Sequence, residues 1–319
     1  METIFHLRDG GFKLIFKEPE LFIEFLHDYI GLDIFKDIKP EDIEDIDPRH
    51  IPLFQDSLDS DTIKKIHLRN YDKQPLFVIT ILEHESRVNY RTSFKILQYI
   101  TFVLSEYEKE INKETEKISY TKDFKFPPVL PIVYYDGTTK WTAETNFLNK
   151  TKFSDVFERY IPKFEYELVC LKDYSMDDIT KFGNSLSLIM MFDKIHAPNE
   201  LKLLKNLPDG YIEKLCLNIP DHLNQLIADF ITLLMSKINV PKDEIKQITE
   251  TIYQRRYHNM FAWTENYDVQ ETRRIAKEEG EERGIKIVAK NLLQMGEDIM
   301  KVIKATGLSE DEILKLSTQ

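Results

Sequence analysis

Three acidic residues could act together at one end of a predicted β-hairpin. Asp61 precedes one apolar, β-branched segment, and Glu83 and Glu85 follow the next. Residues paired in an antiparallel hairpin lie symmetrically about its turn, and the midpoint of positions 61 and 83 falls at 72, inside the turn-forming stretch Asn70–Lys73. We therefore expect Asp61 and Glu83 to lie nearly opposite each other. Strand alternation places Glu85 on the same face as Glu83.

Carboxylates this close repel each other unless they are protonated, solvated or bridged by a cation. Mg²⁺ binds carboxylate oxygens and keeps coordination positions for water and phosphate. Such an ion can activate water and neutralise the charge that develops during phosphodiester hydrolysis. Spacing alone also fits a hairpin whose charged end faces solvent, and a shifted register would bring Asp59 into the place of Asp61. His84 alternates away from the acidic face.

The elements that would position these residues form an α/β core. Strands are predicted at Thr62–Leu68, Pro75–Leu82 and Val129–Tyr135, and a helix at Tyr90–Tyr107, with a polar loop over Lys109–Lys125. The second strand is almost continuously apolar and is therefore expected to be central in its sheet. Apolar spacing between Phe12 and Ile30 predicts two helical segments separated at Pro19. A further strand is predicted at Tyr166–Leu171, and helices dominate the rest.

Three regions are predicted along the chain. Residues 1–141 form the core, residues 142–270 a mostly helical extension that completes the domain, and residues 271–319 a charged linker with a short helical, helix-turn-helix-like tail. In the tail, Gly296 and Gly307 stand where helices would end, and Ser309 with Glu312 forms a capping pattern.

The composition is that of an ordinary folded chain, with 319 residues, 42% hydrophobic and 31% charged. No apolar stretch reaches the roughly 20 residues that span a bilayer. Neither a secretory signal nor a cysteine pairing pattern is recognisable, so we expect a cytoplasmic protein without membrane association. The net charge of −12 argues against a protein that coats nucleic acid generally, so any DNA contact requires a local concentration of basic residues.

Several blocks of the sequence resemble the Rpn family of recombination-promoting nucleases, also named YhgA-like putative transposases. In the family's order, the blocks are Arg8-Asp9 with Phe12-Lys13, Ser60–Ile63, Val78–Ser86, Phe94–Tyr99, Phe126–Gly137 with Trp141-Thr142, and pieces of the tail between Ala289 and Ser309. Each block is weak, but the combination extends over nearly the whole chain and is fairly specific.

The resemblance implies a PD-(D/E)xK restriction-endonuclease-like core, a central mixed sheet flanked by helices, with a mostly helical C-terminal region. It also implies Mg²⁺-dependent cleavage of DNA in recombination or transposition. Asp61 matches the metal-binding aspartate and Glu83 the first acidic residue of the E-x-K-like motif. Glu85 stands where the family usually has Gln and the wider superfamily Lys. It could serve as a third ligand or a base, or Lys95 could supply the missing cation.

Supporting roles are assigned to residues near this pattern. Arg91 and Lys95 are four apart on a predicted helix and so share a face, where they either contact DNA together or are two solvated helix charges. Tyr99 matches a family helix position and either orders the site or is an ordinary helix tyrosine, and Asp9 either adds an acidic group or caps a turn. Further basic residues beside the hairpin are Lys64, Lys65, Arg69 and Arg87.

Three classes of function follow from these observations. The first is a metal-dependent DNA endonuclease. The second is a catalytically weak DNA-binding or transposition accessory protein, whose terminal helices bind DNA. The third is a non-catalytic interaction protein on a nuclease scaffold, because fold does not fix function. Retention of Asp61 with Glu83 favours the first, whereas Glu85 favours the others. The sequence leaves self-association into a homo-oligomer open.

Overall fold

The computed structural model describes residues 15–46, 62–71, 74–83, 88–137, 139–197, 200–201, 203–204, 207, 210–216, 219–238, 240–256, 284–295, 297–309 and 312–313. For residues 81–83, 213 and 216 it describes the backbone without the side chain. Asp9, Asp61, Glu85 and Arg87 lie outside the described residues, as does most of the predicted linker.

A five-stranded mixed sheet with strands in sequential order forms the centre of the fold. Its strands are β1 (Ile43–Ile46), β2 (Thr62–Leu68), β3 (Gln74–Glu83), β4 (Val129–Tyr135) and β5 (Glu167–Cys170). The pairs β1–β2 and β2–β3 are antiparallel, whereas β3–β4 and β4–β5 are parallel. The predicted α/β class with a mixed sheet flanked by helices is confirmed, and the arrangement is consistent with a nuclease-like core.

Helices dominate the described residues after the sheet, as predicted. The helices of the described residues are α1 (Pro19–Phe25), α2 (Thr92–Glu114), α3 (Ser154–Phe157), α4 (Met176–Phe182), α5 (Ser185–Asp193), α6 (Tyr211–Cys216), α7 (Asp221–Lys237), α8 (Lys242–Tyr253), α9 (284–294) and α10 (Ile299–Thr306). Pro19 occupies the first turn of α1, where its missing N–H costs no helical hydrogen bond. None of the described helices has the length and apolar character needed to cross a membrane.

Two elements differ from the prediction. The predicted loop Lys109–Lys125 is wrong in its first part, because α2 continues to Glu114. Residues after Tyr107 lack an apolar stripe, but many are good helix formers, and the ion pair between Lys65 and Glu110 fixes this turn to β2 at 3.0 Å. Strand β1 was not predicted, because its sequence Ile-Glu-Asp-Ile has little strand character without β2 beside it.

The sheet has a large core on one face and a smaller one on the other. Even-numbered residues of β3, such as Val78, pack with α1, α4, α5, α7 and α8, and we call this side the α1 face. Odd-numbered residues, such as Phe77 and Ile79, pack with α2, and we call this side the α2 face. Both faces of β3 are therefore buried, which explains its continuous apolar sequence.

On the α1 face, α1 also holds the start of α5. The Glu24 carboxylate accepts a hydrogen bond from the Leu186 N–H at 2.7 Å, and Asp28 accepts one from the Asn184 side chain at 2.6 Å. Burial raises the pKa of Glu24 to about 7. A carboxylate at a helix N-terminus stabilises the helix when it is ionised, so burial and the helix act on Glu24 in opposite directions.

The C-terminal segment forms a small cluster of its own. Ala289, Val302 and Ile313 are buried together there. Gly307 ends α10 in the left-handed conformation at φ 74°, and Ser309 and Glu312 exchange the hydrogen bonds of a capping box. These two predictions are confirmed, and Gly296 lies outside the described residues.

Candidate metal and DNA site

The hairpin register differs from the sequence prediction by one residue at its centre. Thr62 pairs with Thr80 and Leu68 with Gln74, so the pairs are symmetric about position 71 rather than 72. The predicted midpoint is therefore wrong, because the turn begins one residue earlier, with a helical turn at Arg69–Tyr71. Symmetry about position 71 relates 83 to 59 rather than to 61, so this register favours the alternative in which Asp59 takes the place of Asp61. Both aspartates lie outside the described residues. Opposing residues still have equal parity, so odd-numbered residues of the two strands share a face.

Glu83 ends β3 at the sheet's carboxyl edge, the edge where the parallel strands β3, β4 and β5 end. Its backbone pairs with Tyr135, the last residue of β4. Asp61 and Glu85 lie outside the described residues, and the side chain of Glu83 is likewise not described. Their convergence on one ion, and the metal itself, stay predictions.

The N-terminus of α2 lies at this same edge. Because α2 connects two parallel strands, it must run antiparallel to both. The rings of Phe77 and Tyr107 contact at 5.9 Å, which sets the register of helix and strand. From there Glu83 lies about 20 Å along the strand, and Arg91 lies about 24 Å along the helix in the same direction. Arg91 therefore belongs to the carboxyl edge, together with the positive end of the α2 dipole.

The predicted residues of α2 divide into surface and core. Arg91 directly precedes the helix and is exposed, and Lys95 is half-buried one turn later, with its N–H bonded to the Arg91 carbonyl at 2.9 Å. Tyr99 is completely buried in the α2-face core, which also contains Ile79 and Tyr135. Any influence of Tyr99 on the edge therefore acts through packing.

The other described basic residues of the hairpin lie away from this edge. Lys64 is fully buried on the α1 face, where its Nζ atom lies 2.6 Å from the Asp45 carboxylate and 5.3 Å from the centre of the Phe22 ring. Burial lowers the pKa of Lys64. Arg69, at the turn, bonds to the carboxylates of Asp42 and Glu41. Sequence adjacency suggested that these residues border the site, but strand alternation and strand length separate them from it.

One acidic residue at the carboxyl edge, Asp136, is not among the site residues predicted from the sequence. Asp136 follows β4 directly, beside the residue that pairs with Glu83, and is 3% exposed. The pair Asp136-Gly137 is typical of a turn in sequence. A β-carbon at Gly137 would lie 2.2 Å from the Tyr135 ring, so this position requires glycine for close packing rather than for turning. The sequence signal that could have identified Asp136 is an acidic residue directly after a buried parallel strand.

Cys170 ends β5 at the same edge and is buried. Burial raises the pKa of its thiol to about 11. A thiol at neutral pH is a weak nucleophile, since the thiolate is the reactive form. The carboxyl edge is therefore suited to chemistry through carboxylates and water rather than through this cysteine.

Another group of metal-ligand type lies far from the carboxyl edge. The ligand atoms of Glu18, Glu20 and His222 fall within 4.8 Å of one another, where α1 and α7 begin. Glu18 and Glu20 flank the positive N-terminus of α1, which accounts for two acidic residues there without an ion.

Comparison with known proteins agrees with the resemblance for the blocks from Arg8-Asp9 to Trp141-Thr142, whereas the tail blocks between Ala289 and Ser309 lie outside the match. The model of the family described as "Putative transposase, YhgA-like" matches residues 6–216, which include the whole sheet and helices α1 to α6. No curated protein and no solved structure matches the chain. The match extends over well over half of the chain, and the chain therefore belongs to the family of YhgA-like putative transposases.

Proposed function

We propose that this chain is a Mg²⁺-dependent DNA endonuclease whose activity serves transposition or recombination. The observation that carries the proposal is the carboxyl edge itself: β3 ends in Glu83 next to the N-terminus of a 23-residue helix that begins beside the exposed Arg91. Membership of a transposase family supports action on DNA. The edge thus combines an acidic group for a cation with positive charge for phosphate.

In this proposal Asp61 and Glu83 hold the ion from neighbouring strands. The equal parity of the described β2–β3 pairs supports this proposal, because odd-numbered residues of neighbouring antiparallel strands share a face wherever the pairing continues. Carboxylate oxygens are the ligands that Mg²⁺ prefers, and the bound ion supplies an activated water and neutralises charge on the scissile phosphate. Glu85 orients the attacking water, and Lys95 contributes the positive charge that Glu85 lacks.

The test is nicking of supercoiled plasmid in Mg²⁺, with Asp61→Ala and Glu83→Gln compared with the unaltered chain. We expect each substitution to reduce the nicking rate on the order of 10²-fold or more, because the charge that forms in the transition state loses its cation. EDTA should abolish nicking by the unaltered chain.

Glu110→Gln is the matched control for Glu83→Gln. Glu110 lies on α2 and pairs with Lys65, well away from the carboxyl edge. This control should nick at the unaltered rate. Equal rates for Glu83→Gln and Glu110→Gln would contradict the proposed metal site.

A second function is favoured by one residue, Glu85. Because Glu cannot provide the positive charge of the superfamily's Lys, the same edge could bind DNA without cleaving it. A transposition accessory protein would then bind the plasmid with unchanged affinity in Mg²⁺ or EDTA and leave it supercoiled.

A further inference from the structure

The connection between β4 and β5 exposes a group of large apolar side chains. Phe153, Val156, Phe157 and Tyr160 are 71%, 67%, 51% and 71% exposed, and we call them the aromatic platform. Three rings so close together in sequence are costly to leave in water, since each could bury 150–250 Å². Such a concentration on a folded surface indicates a binding role.

Local structure brings these side chains together. The N–H groups of Val156 and Phe157 both donate to the Phe153 carbonyl, which closes the single turn of α3. The rings of Phe157 and Tyr160 lie 6.5 Å apart and are tilted by 51°. Phe153 has φ 60°, a left-handed conformation that is unusual for a bulky residue.

The charges around the platform are opposite to those of the chain as a whole. Between residues 147 and 163 there are four basic and two acidic residues, whereas the whole chain has 43 basic and 55 acidic residues. Lys163 bonds to Glu158 at 2.7 Å, which neutralises one of the two acidic groups. The Arg159 guanidinium lies 5.1 Å from the centre of the Tyr160 ring. Cations are thus interleaved with exposed rings.

One basic residue near the platform in sequence reaches the start of α2. Lys150, three residues before Phe153, places its Nζ atom 5.7 Å from the centre of the Tyr90 ring, and the Tyr90 hydroxyl lies 2.9 Å from the Thr142 Oγ1 atom. Tyr90 directly precedes Arg91. The contact between Lys150 and Tyr90 is therefore the observed link between the start of α2 and the segment that carries the platform.

We propose that the aromatic platform stacks unpaired bases of the DNA strand whose phosphates pass the carboxyl edge. This inference rests on the proposed function for its choice of DNA. Every base has a π-face, so exposed rings beside cations bind single strands with little sequence preference. A protein partner is the less suitable occupant, because protein interfaces are depleted of Lys, whereas Lys150 and Lys152 flank this surface.

The test measures the affinity of the full chain in EDTA for a fluorescent 20-nucleotide single strand and for a hairpin duplex. Phe157→Ala and Tyr160→Ala should each weaken single-strand binding about tenfold, the effect of losing one stacked base. Binding to the duplex should change less than twofold. Tyr160→Trp should retain single-strand affinity, because it keeps a stacking ring.

Tyr120→Ala is the matched control, since Tyr120 is 82% exposed and lies outside the platform. Unchanged single-strand affinity in Phe157→Ala and Tyr160→Ala would overturn the proposal. A change in sedimentation mass without a change in DNA affinity would also overturn it and assign the platform to a second copy of the chain. Plasmid nicking separates the two proposals, since the proposed nuclease survives a failed platform if Glu83→Gln still abolishes nicking.

Discussion

The basic residues near the two ends of the β2–β3 hairpin differ in their surroundings. At the turn, Arg69 bonds to Asp42 and Glu41, and the Asn70 side chain bonds to Asp37. At the carboxyl edge, where β3 ends, Arg91 at the start of α2 is exposed. The comparison shows that a net charge of −12 does not decide where phosphate can bind. Acidic residues are engaged locally at the turn, and the edge keeps positive charge at the surface.

The largest difference between the two ends should appear in DNA binding. Replacing Arg91 and Lys95 by Ala should weaken duplex binding about tenfold or more and lower the salt slope by about 1.8, because two phosphate contacts are lost. Lys65→Ala with Arg69→Ala is the matched pair at the other end and should leave the affinity nearly unchanged. Fluorescence anisotropy titrations at salt concentrations between about 50 and 200 mM measure the DNA affinity and the salt slope of both variant pairs. Equal losses of DNA affinity in the two variant pairs would contradict the proposed difference between the carboxyl edge and the turn.

A smaller effect, on stability, is expected from breaking the ion pair between Asp45 and Lys64, a residue that β2 buries on the α1 face. Asp45→Ala leaves the buried Lys64 ammonium without the carboxylate that lies 2.6 Å from it. We expect a loss of roughly 1–2 kcal/mol in the free energy of unfolding, below the full cost of breaking a buried pair because Asp45 is partly exposed.

Lys64→Met is the control for that loss. It removes the charge, keeps the packing on Phe22, and should cost less than about 1 kcal/mol. Urea unfolding of the two variants measures the difference. A larger loss in Lys64→Met than in Asp45→Ala would mean that the ammonium itself is needed.

The smallest effect concerns Glu24 and the pH dependence of stability. In the unfolded chain this carboxyl loses its proton near 4.5, whereas in the folded chain its pKa is about 7. Between these values the folded state binds more protons, so raising the pH favours unfolding. The stability contributed by protonated Glu24 is therefore fully present below pH 4.5 and lost as the pH rises through about 7.

Glu24→Gln should remove this dependence. The melting temperature of the unaltered chain should fall by a few degrees between pH 5 and 8 relative to that of Glu24→Gln, since about 1 kcal/mol moves it by roughly 2–4 °C. Asp33→Asn is a suitable control, because its carboxyl is exposed on the surface. Parallel curves for Glu24→Gln and the unaltered chain would contradict the raised pKa.

The sequence predicted the elements with strong periodicity. The predicted bounds of β2 and β4 match those of the structure, β3 is central as its apolar sequence indicated, and α10 ends at Gly307 as predicted. The sequence pattern did not predict β1 or the last turns of α2. There, contacts with neighbouring elements decide the conformation more than the local pattern does. The proximity of Asp61 to Glu83 was proposed from symmetry, and that proximity stays a prediction.

The sequence by itself determined which family the chain belongs to and where its strongly periodic strands β2, β3 and β4 lie, because period and residue type act locally along the chain. Tertiary structure alone decided which basic residues stand at the carboxyl edge. Lys64 and Arg91 look equivalent as charges beside a hairpin, yet strand alternation buries the first against Phe22, and the crossover of α2 carries the second to the end of β3. It also decided that Phe153 and Tyr160 stay exposed, because burial depends on what packs against a side chain and not on its own apolarity.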